Sequence, residues 1–272
     1  MRIEPRQRRS SLARWSRRTA VAGLIVLAIT ITGHRSQLFA SDATLVLIAI
    51  GLALAGFAVL MAFLAFIAIW RDGRAGARLA LHGLVLAIVM LAYPMLLVSR
   101  MIALPAIADI STDTVAPPEF AAIRWSHPLP SPEAIEAQQT AYPEIVTRSF
   151  PEDAERVFAE LGAIVESKGW EIVRLIGPGI AAPAIAVTPP DPDQPASALF
   201  EPSPGWIEAI ARTPIVAFRE DVVIRITPDQ TGAIVDIRSA SRTFTHDLGS
   251  NAQRIVDLLA ALEDRLSIGP DG

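Results

Sequence analysis

The chain has 272 residues, 51% of them apolar and 19% charged, with no cysteine and a net charge of −4. A mean hydropathy of +0.40 leans towards a membrane protein, and the lack of cysteine excludes disulfides, Cys-ligated zinc, iron–sulfur clusters and thiol nucleophiles. Residues 1–100 hold 12 Arg against 3 acids (+9), whereas residues 101–272 hold 12 Lys and Arg against 25 acids (−13) and 19 of the 21 prolines. These are two different objects joined near residue 100, a basic membrane part and an acidic, Pro-rich part. The acidic part argues against nucleic acid, which needs a basic stripe to displace counterions from phosphates.

In chain order, an Arg-rich leader over residues 1–18 comes first, with Arg2, Arg6, Arg8, Arg9, Arg14, Arg17 and Arg18 against Glu4. Three apolar stretches follow within residues 19–100: Thr19–Gly33, Ala43–Trp70 and Leu79–Val98, of 15, 28 and 20 residues. A span needs about 20 apolar residues, so the second and third qualify at once. Charge decides the first. The leader and the connection Arg71–Arg78, with its three Arg, are basic, while the connection between the first two stretches holds Arg35 and Asp42. Three spans put both basic segments in the cytoplasm, as the positive-inside rule requires, whereas two spans would force the leader across. The charges therefore predict a three-helix anchor in a bacterial inner membrane, amino terminus inside, with residues after 100 in the periplasm. A cleaved signal peptide over residues 1–40 is the rival reading, and an Arg-rich leader that sets orientation accounts for the same residues.

Residues 101–141 read as a Pro-rich extended arm from membrane to domain, with a short helical turn at Glu133–Gln139. The domain itself is placed at 142–272. A short strand over Glu144–Ser149 leads to a helix at 151–168, with Pro151 in its first turn and Val157, Phe158, Leu161, Ile164 and Val165 on one face. Trp170–Ile176 reads as a strand, and Gly177–Pro204, with eight prolines, as a long surface loop. Strands at Trp206–Ala217, Asp221–Thr227 and Ala233–Arg242 follow, the last two joined by the turn Pro228–Gly232. The final helix spans 251–266, where Leu248, Ala252, Ile255, Leu259, Leu262 and Leu266 form one stripe and Ser250 with Gln253 makes a capping-box pair. The expected fold is α+β: three transmembrane helices, then a two-layer domain in β-α-β-β-β-β-α order, with two helices on one face of an antiparallel sheet.

The richest polar segment runs from Asp236 to Asn251, with Arg254 one turn further on. Strand alternation puts Asp236, Arg238, Ala240 and Arg242 on one face and Val235, Ile237, Ser239 and Ser241 on the other. Arg225 is expected to meet Asp236 across the hairpin. As an anion site, Arg238 and Arg242 would supply forked donors and the last helix free N–H groups. As a structural network, Arg242 would pair with Asp247 and fix the strand-to-helix corner. Ser241, His246 and Asp247 suggest a hydrolase, but adjacent His and Asp in an extended chain point apart, so the carboxylate does not orient the base. No metal site is expected from His127 and His246, nor any cofactor. A secondary candidate is Asp109, Ser111, Thr112 and Asp113, whose carboxylates and hydroxyls suit a cation or, more simply, the capping of local turns.

Ile110-Ser-Thr-Asp113 before Pro117-Pro118, together with Asp236-x-Arg238-Ser-x-Ser241-Arg242 and Asp247-x-Gly249-x-Asn251-x-x-Arg254-Ile255, resembles the bacterial and plastid family described as domain of unknown function 1499. The similarity covers about residues 100–266, and the three-span part is similar to an alphaproteobacterial membrane-anchored branch. The chain departs from the family pattern at Phe244, where Gly is frequent. The resemblance implies membrane anchoring and one domain, and supplies no activity. The expected function is a non-enzymatic envelope protein whose domain binds an envelope protein or a small anionic ligand. The alternative is an enzyme acting on an envelope component through Arg238, Arg242 and Asp247.

Overall fold

A computed structural model of the chain describes residues 10–179 and 203–267. Two compact units emerge, Met1–Ile102 with Pro214–Ala217, and Ala103–Thr213 with Phe218–Gly272.

The first unit holds three helices, α1 (Ser11–Arg35), α2 (Ser41–Asp72) and α3 (Ala77–Ala103), each long and apolar enough to cross a membrane. Helix α1 starts eight residues before its apolar stretch, because Ser10 caps it by accepting a hydrogen bond from the Ala13 N–H. Arg14, Arg17 and Arg18, read as leader, therefore lie on its first two turns. The helices pack through small residues: Ala55, Ala58, Ala62 and Ala65 of α2, and Ala80, Gly83 and Ala87 of α3, are buried. A Cβ on Gly23 would come 3.0 Å from the Gly51 carbonyl oxygen, so α1 and α2 touch backbone to backbone. Large apolar side chains such as Phe57, Phe63, Ile88 and Val89 face outwards. That inversion of a soluble core is what an acyl-chain solvent favours.

The second unit contains β1 (Asp109–Ser111), α4 (Pro132–Ala141), β2 (Arg148–Phe150), α5 (Ala154–Ser167), β3 (Glu171–Ile176), β4 (Gly205–Arg212), β5 (Arg219–Asp229), β6 (Gly232–Ser241) and α6 (Ser250–Ser267). From β2 onwards the order is the one the sequence predicts. One antiparallel sheet runs β1-β6-β5-β4-β3, and β2 pairs with the other end of β6. Alternation along the strands sends Ile207, Ala209, Val222, Ile224, Ile226, Val235 and Ile237 to one face. There they meet Val157, Leu161 and Ile164 of α5 and Ile255, Leu258 and Leu262 of α6. Each fully buried Ile or Leu contributes about 1.5–3 kcal/mol, so this two-layer core carries the domain.

Several boundaries differ from the sequence reading for local reasons. Asp153, not Pro151, starts α5, its carboxylate accepting from the Arg156 N–H at 2.7 Å. Strand β4 ends at Arg212 because the chain turns at 213–218, where the Thr213 N–H donates to the Phe218 carbonyl. Residues 180–202, most of the expected Pro-rich loop, lie outside the described residues, as do residues 1–9 of the leader.

The Pro-rich segment after residue 105 does not run free as an arm. Its Asp109–Ser111 becomes edge strand β1, with Asp109 opposite Ala240 and Ser111 opposite Arg238. Residues 112–130 then cross the second face of the sheet as an irregular strap. Proline removes N–H donors, so the strap forms no strand there, yet its remaining N–H and C=O groups find partners on the sheet.

Candidate functional site

The strap covers a layer of charge. On the face opposite α5 and α6 lie Glu208 of β4, Asp221 and Arg225 of β5, and Asp236 and Arg238 of β6, the alternate positions of three neighbouring strands. Arg225 does meet Asp236, its Nε and Nη2 donating to Oδ2 at 3.2 and 2.7 Å. Nη2 also donates to Asp113 at 2.8 Å and Nη1 to the Ala116 carbonyl at 3.1 Å. Asp236 takes two hydroxyls as well, Thr147 at 2.6 Å and Thr112 at 3.3 Å.

Arg238 is 2% exposed, its guanidinium gripped by Asp109 through Nε–Oδ1 at 2.9 Å and Nη2–Oδ2 at 2.7 Å. Its remaining donors go to the Pro118 and Pro128 carbonyls of the strap, and the Phe120 ring lies 5.1 Å away. The secondary candidate and the main cluster are thus one constellation: Asp109 and Asp113 are the carboxylates that hold Arg238 and Arg225. Ser111 sits in the same edge, its N–H donating to Gln138 Oε1 at 3.1 Å and its carbonyl accepting from Gln138 Nε2 at 2.7 Å.

Arg242 does not pair with Asp247. It reaches across the hairpin to fully buried Asp221, with Nε–Oδ2 at 2.8 Å and Nη2–Oδ1 at 2.6 Å, under the ring of Trp125. His127 Nε2 meets the same carboxylate at 2.7 Å. The reason is geometric: Asp247 is committed to α6. Its two oxygens accept from the Gly249 and Asn251 N–H groups at 3.0 and 2.8 Å, so Asp247, not a Ser250–Gln253 box, caps the helix. Ser250 instead donates to Glu220 at 2.8 Å, and Gln253 bonds Asp257.

The other face of β6 carries a second buried network. Ser239 Oγ donates to Asn251 Oδ1 at 2.8 Å, and Arg254 Nη1 donates to both Asn251 Oδ1 and Ser239 Oγ. Arg254 Nη2 pairs with Glu220, which also takes the Ser241 hydroxyl at 3.1 Å. Asn251 Nδ2 ties this network to the Ala108 carbonyl ahead of β1. Ser241, His246 and Asp247 are not assembled as a triad: the Ser241 hydroxyl points to Glu220, and His246 Nδ1 lies 3.1 Å from the Leu248 N–H.

Electrostatics follow the contacts. Burial pushes the Asp113 carboxyl up, but the Ala116 N–H, the Arg225 guanidinium and the Val115 N–H outweigh it and hold its pKa below the usual value. Burial pushes Asp247 up, and the opposing N–H groups of Gly249 and Asn251 do not cancel it, with the Glu220 charge adding to the rise. Tyr142, whose buried hydroxyl finds no hydrogen-bond partner among the described residues, is raised by burial and by the Asp247 and Glu144 charges.

Glu208, Asp221 and Arg174 under the strap, and Glu220 in the network on the other face, are site residues that no sequence argument singles out, and His127, considered there only as a metal ligand, joins Asp221 instead. Glu208, 0% exposed, accepts from the Ala121, Ala122 and Ile123 N–H groups at 2.9–3.2 Å and from Arg174 at 2.9 Å. The signal was present: Trp206-x-Glu208-x-Ile210 and Asp221-x-Val223-x-Arg225 alternate in register with Asp236-x-Arg238. Among the described residues no group of three or more His, Asp and Glu is placed to hold a metal ion.

No curated protein and no solved structure matches the chain. A family model described as protein of unknown function (DUF1499) matches residues 109–262, from the first residue of β1 to the middle of α6. The match spans the charged layer, the strap, α5 and the first part of α6, more than half of the chain, and the chain belongs to the DUF1499 family.

Proposed function

We propose that the chain is a bacterial inner-membrane protein, amino terminus in the cytoplasm, whose α+β domain works in the periplasm as a non-enzymatic module for an envelope protein partner. Orientation rests on the arginines: seven in residues 1–18 and three at 71–78, against Arg35 and Asp42 between α1 and α2. The observation that carries the binding reading is neutralisation. Arg225, Arg238, Arg242 and Arg254 each already hold a carboxylate at ion-pair distance, with Arg238 and Arg242 forked onto theirs. An anionic ligand would have to displace Asp109 or Asp221, so the geometry favours a protein surface over a small-anion pocket.

An enzyme acting through Arg238, Arg242 and Asp247 is less well supported, since these side chains serve three separate contacts: Asp109, Asp221 and the α6 cap. A phosphatase reporter fused after residue 110 tests the topology. Activity is expected, and a silent phosphatase with a bright cytoplasmic reporter at the same point would refute it. Photocrosslinking in intact cells tests the partner: a discrete adduct is expected, and uncrosslinked monomer throughout would count against the module.

A further inference from the structure

The two ends of the sheet differ in chemistry. At the end where β1 enters, the chain presents Trp125 and Phe244, 51% and 38% exposed. Trp125 lies over Arg242 at the end of β6, and Phe244 packs edge-on against Phe218 at 4.9 Å. Arg212 and Arg219 face each other across β4 and β5 at the same end, Glu171 lies 3.7 Å from Arg212, and the exposed Arg124 precedes Trp125 in the chain. At the far end the turn joining β5 and β6 is acidic, with Asp153, Glu155 and Asp229 around one shallow depression. In a part of the chain whose net charge is −13, a basic and aromatic end is an exception that calls for a partner.

We infer that this end of the domain is a bilayer-binding surface, with Trp125 and Phe244 at the headgroup level and Arg124, Arg212 and Arg219 against anionic lipid. Three arguments converge on lipid. Aromatic rings with an apolar body suit the membrane interface. Arginines near an anionic leaflet are drawn to it by charge. Chain length adds the third: five residues separate Ala103 of α3 from Asp109 of β1, a tether of about 20 Å at most, and β1 enters at this end. The inference rests on the membrane anchoring proposed above.

The cysteine-free chain allows a direct test. The full-length protein is reconstituted in phosphatidylglycerol vesicles with a nitroxide on Phe244→Cys, on Trp125→Cys, on Gln230→Cys at the far end, or on Leu60→Cys in α2. Collision with oxygen and with a water-soluble nickel chelate is measured at each. The ratio of oxygen to nickel accessibility should be several-fold higher at 244 and 125 than at 230, and should fall when Arg124→Glu and Arg219→Glu are added. Nickel access at 244 and 125 equal to that at 230 overturns the inference. A ratio unaffected by the two Glu substitutions overturns the part assigned to arginine. The Leu60 label keeps the two readings apart: oxygen-rich there with nickel-rich 244 refutes the surface alone, whereas nickel-rich at Leu60 refutes the anchor itself.

Discussion

Arg238 and Asp109 lie 129 residues apart in the chain and form a forked ion pair, 2.7 and 2.9 Å, beneath the strap. The pair joins the first residues of the domain to its central hairpin, and the strap closes over it through Pro118 and Pro128. Breaking a buried pair from one side leaves an unpaired charge and costs about 3–5 kcal/mol. Arg238→Ala should therefore lower the unfolding midpoint of the domain far more than Arg238→Lys, which keeps the charge and loses the fork. Near-ultraviolet circular dichroism of the full chain during urea titration reads the difference. Equal midpoints for the Ala variant and the parent would contradict the assignment.

Glu208 anchors the strap through three consecutive N–H groups. Glu208→Gln leaves one carbonyl oxygen where a carboxylate offered two, and it abolishes the charge held by Arg174. Hydrogen exchange should accelerate at residues 121–123 while the amides of β5 and β6 stay protected, because the α5–α6 core is untouched. Unchanged exchange at 121–123 would show that the strap is held elsewhere.

The strap also marks where reading the sequence stops. Helices α5 and α6 and strands β3 to β6 were legible, since each has an apolar face of the right period. Strand β1 was not: three residues of mixed polarity become a strand only through β6. The strap was silent for a deeper reason, since many of its bonds use backbone groups, Ala116, Pro118 and Pro128 carbonyls and the 121–123 amides, which every sequence possesses. Nearness in the chain points Arg242 to Asp247, five residues on. Asp221, 21 residues away, is its neighbour across the hairpin.

Two carboxylates should give opposite pH signatures. Asp113 has its pKa lowered in the fold, so its contribution is present above the unfolded value of about 3.9 and is lost as pH falls through the folded value. Asp247 has its pKa raised, so the folded state binds its proton more tightly, and this group weakens the fold as pH rises from about 3.9 through the folded value. Asp113→Asn should flatten the acid limb of the stability curve, and Asp247→Asn should steepen it, as urea midpoints between pH 3 and 7 will show. The same slope change in both variants would contradict the assignment.

Gly232 closes the β5–β6 turn at φ 145°, and a Cβ there would run into the Phe150 carbonyl oxygen of β2. Gly232→Ala should cost at least about 1–3 kcal/mol, because strain and overlap add. Gln230→Ala, two residues away and exposed, should leave the thermal midpoint within a degree or so of the parent. Similar midpoints for both variants would overturn the turn geometry.

The account turns on the cluster arginines being satisfied from within the domain. Native mass spectrometry of the full-length protein, released gently from detergent micelles, tests this most directly. The predicted result is the bare polypeptide mass apart from lipid adducts that persist in Arg238→Ala and Arg242→Ala. A reproducible additional mass that disappears in either variant while the fold survives would contradict it, and would make the charged layer a ligand site.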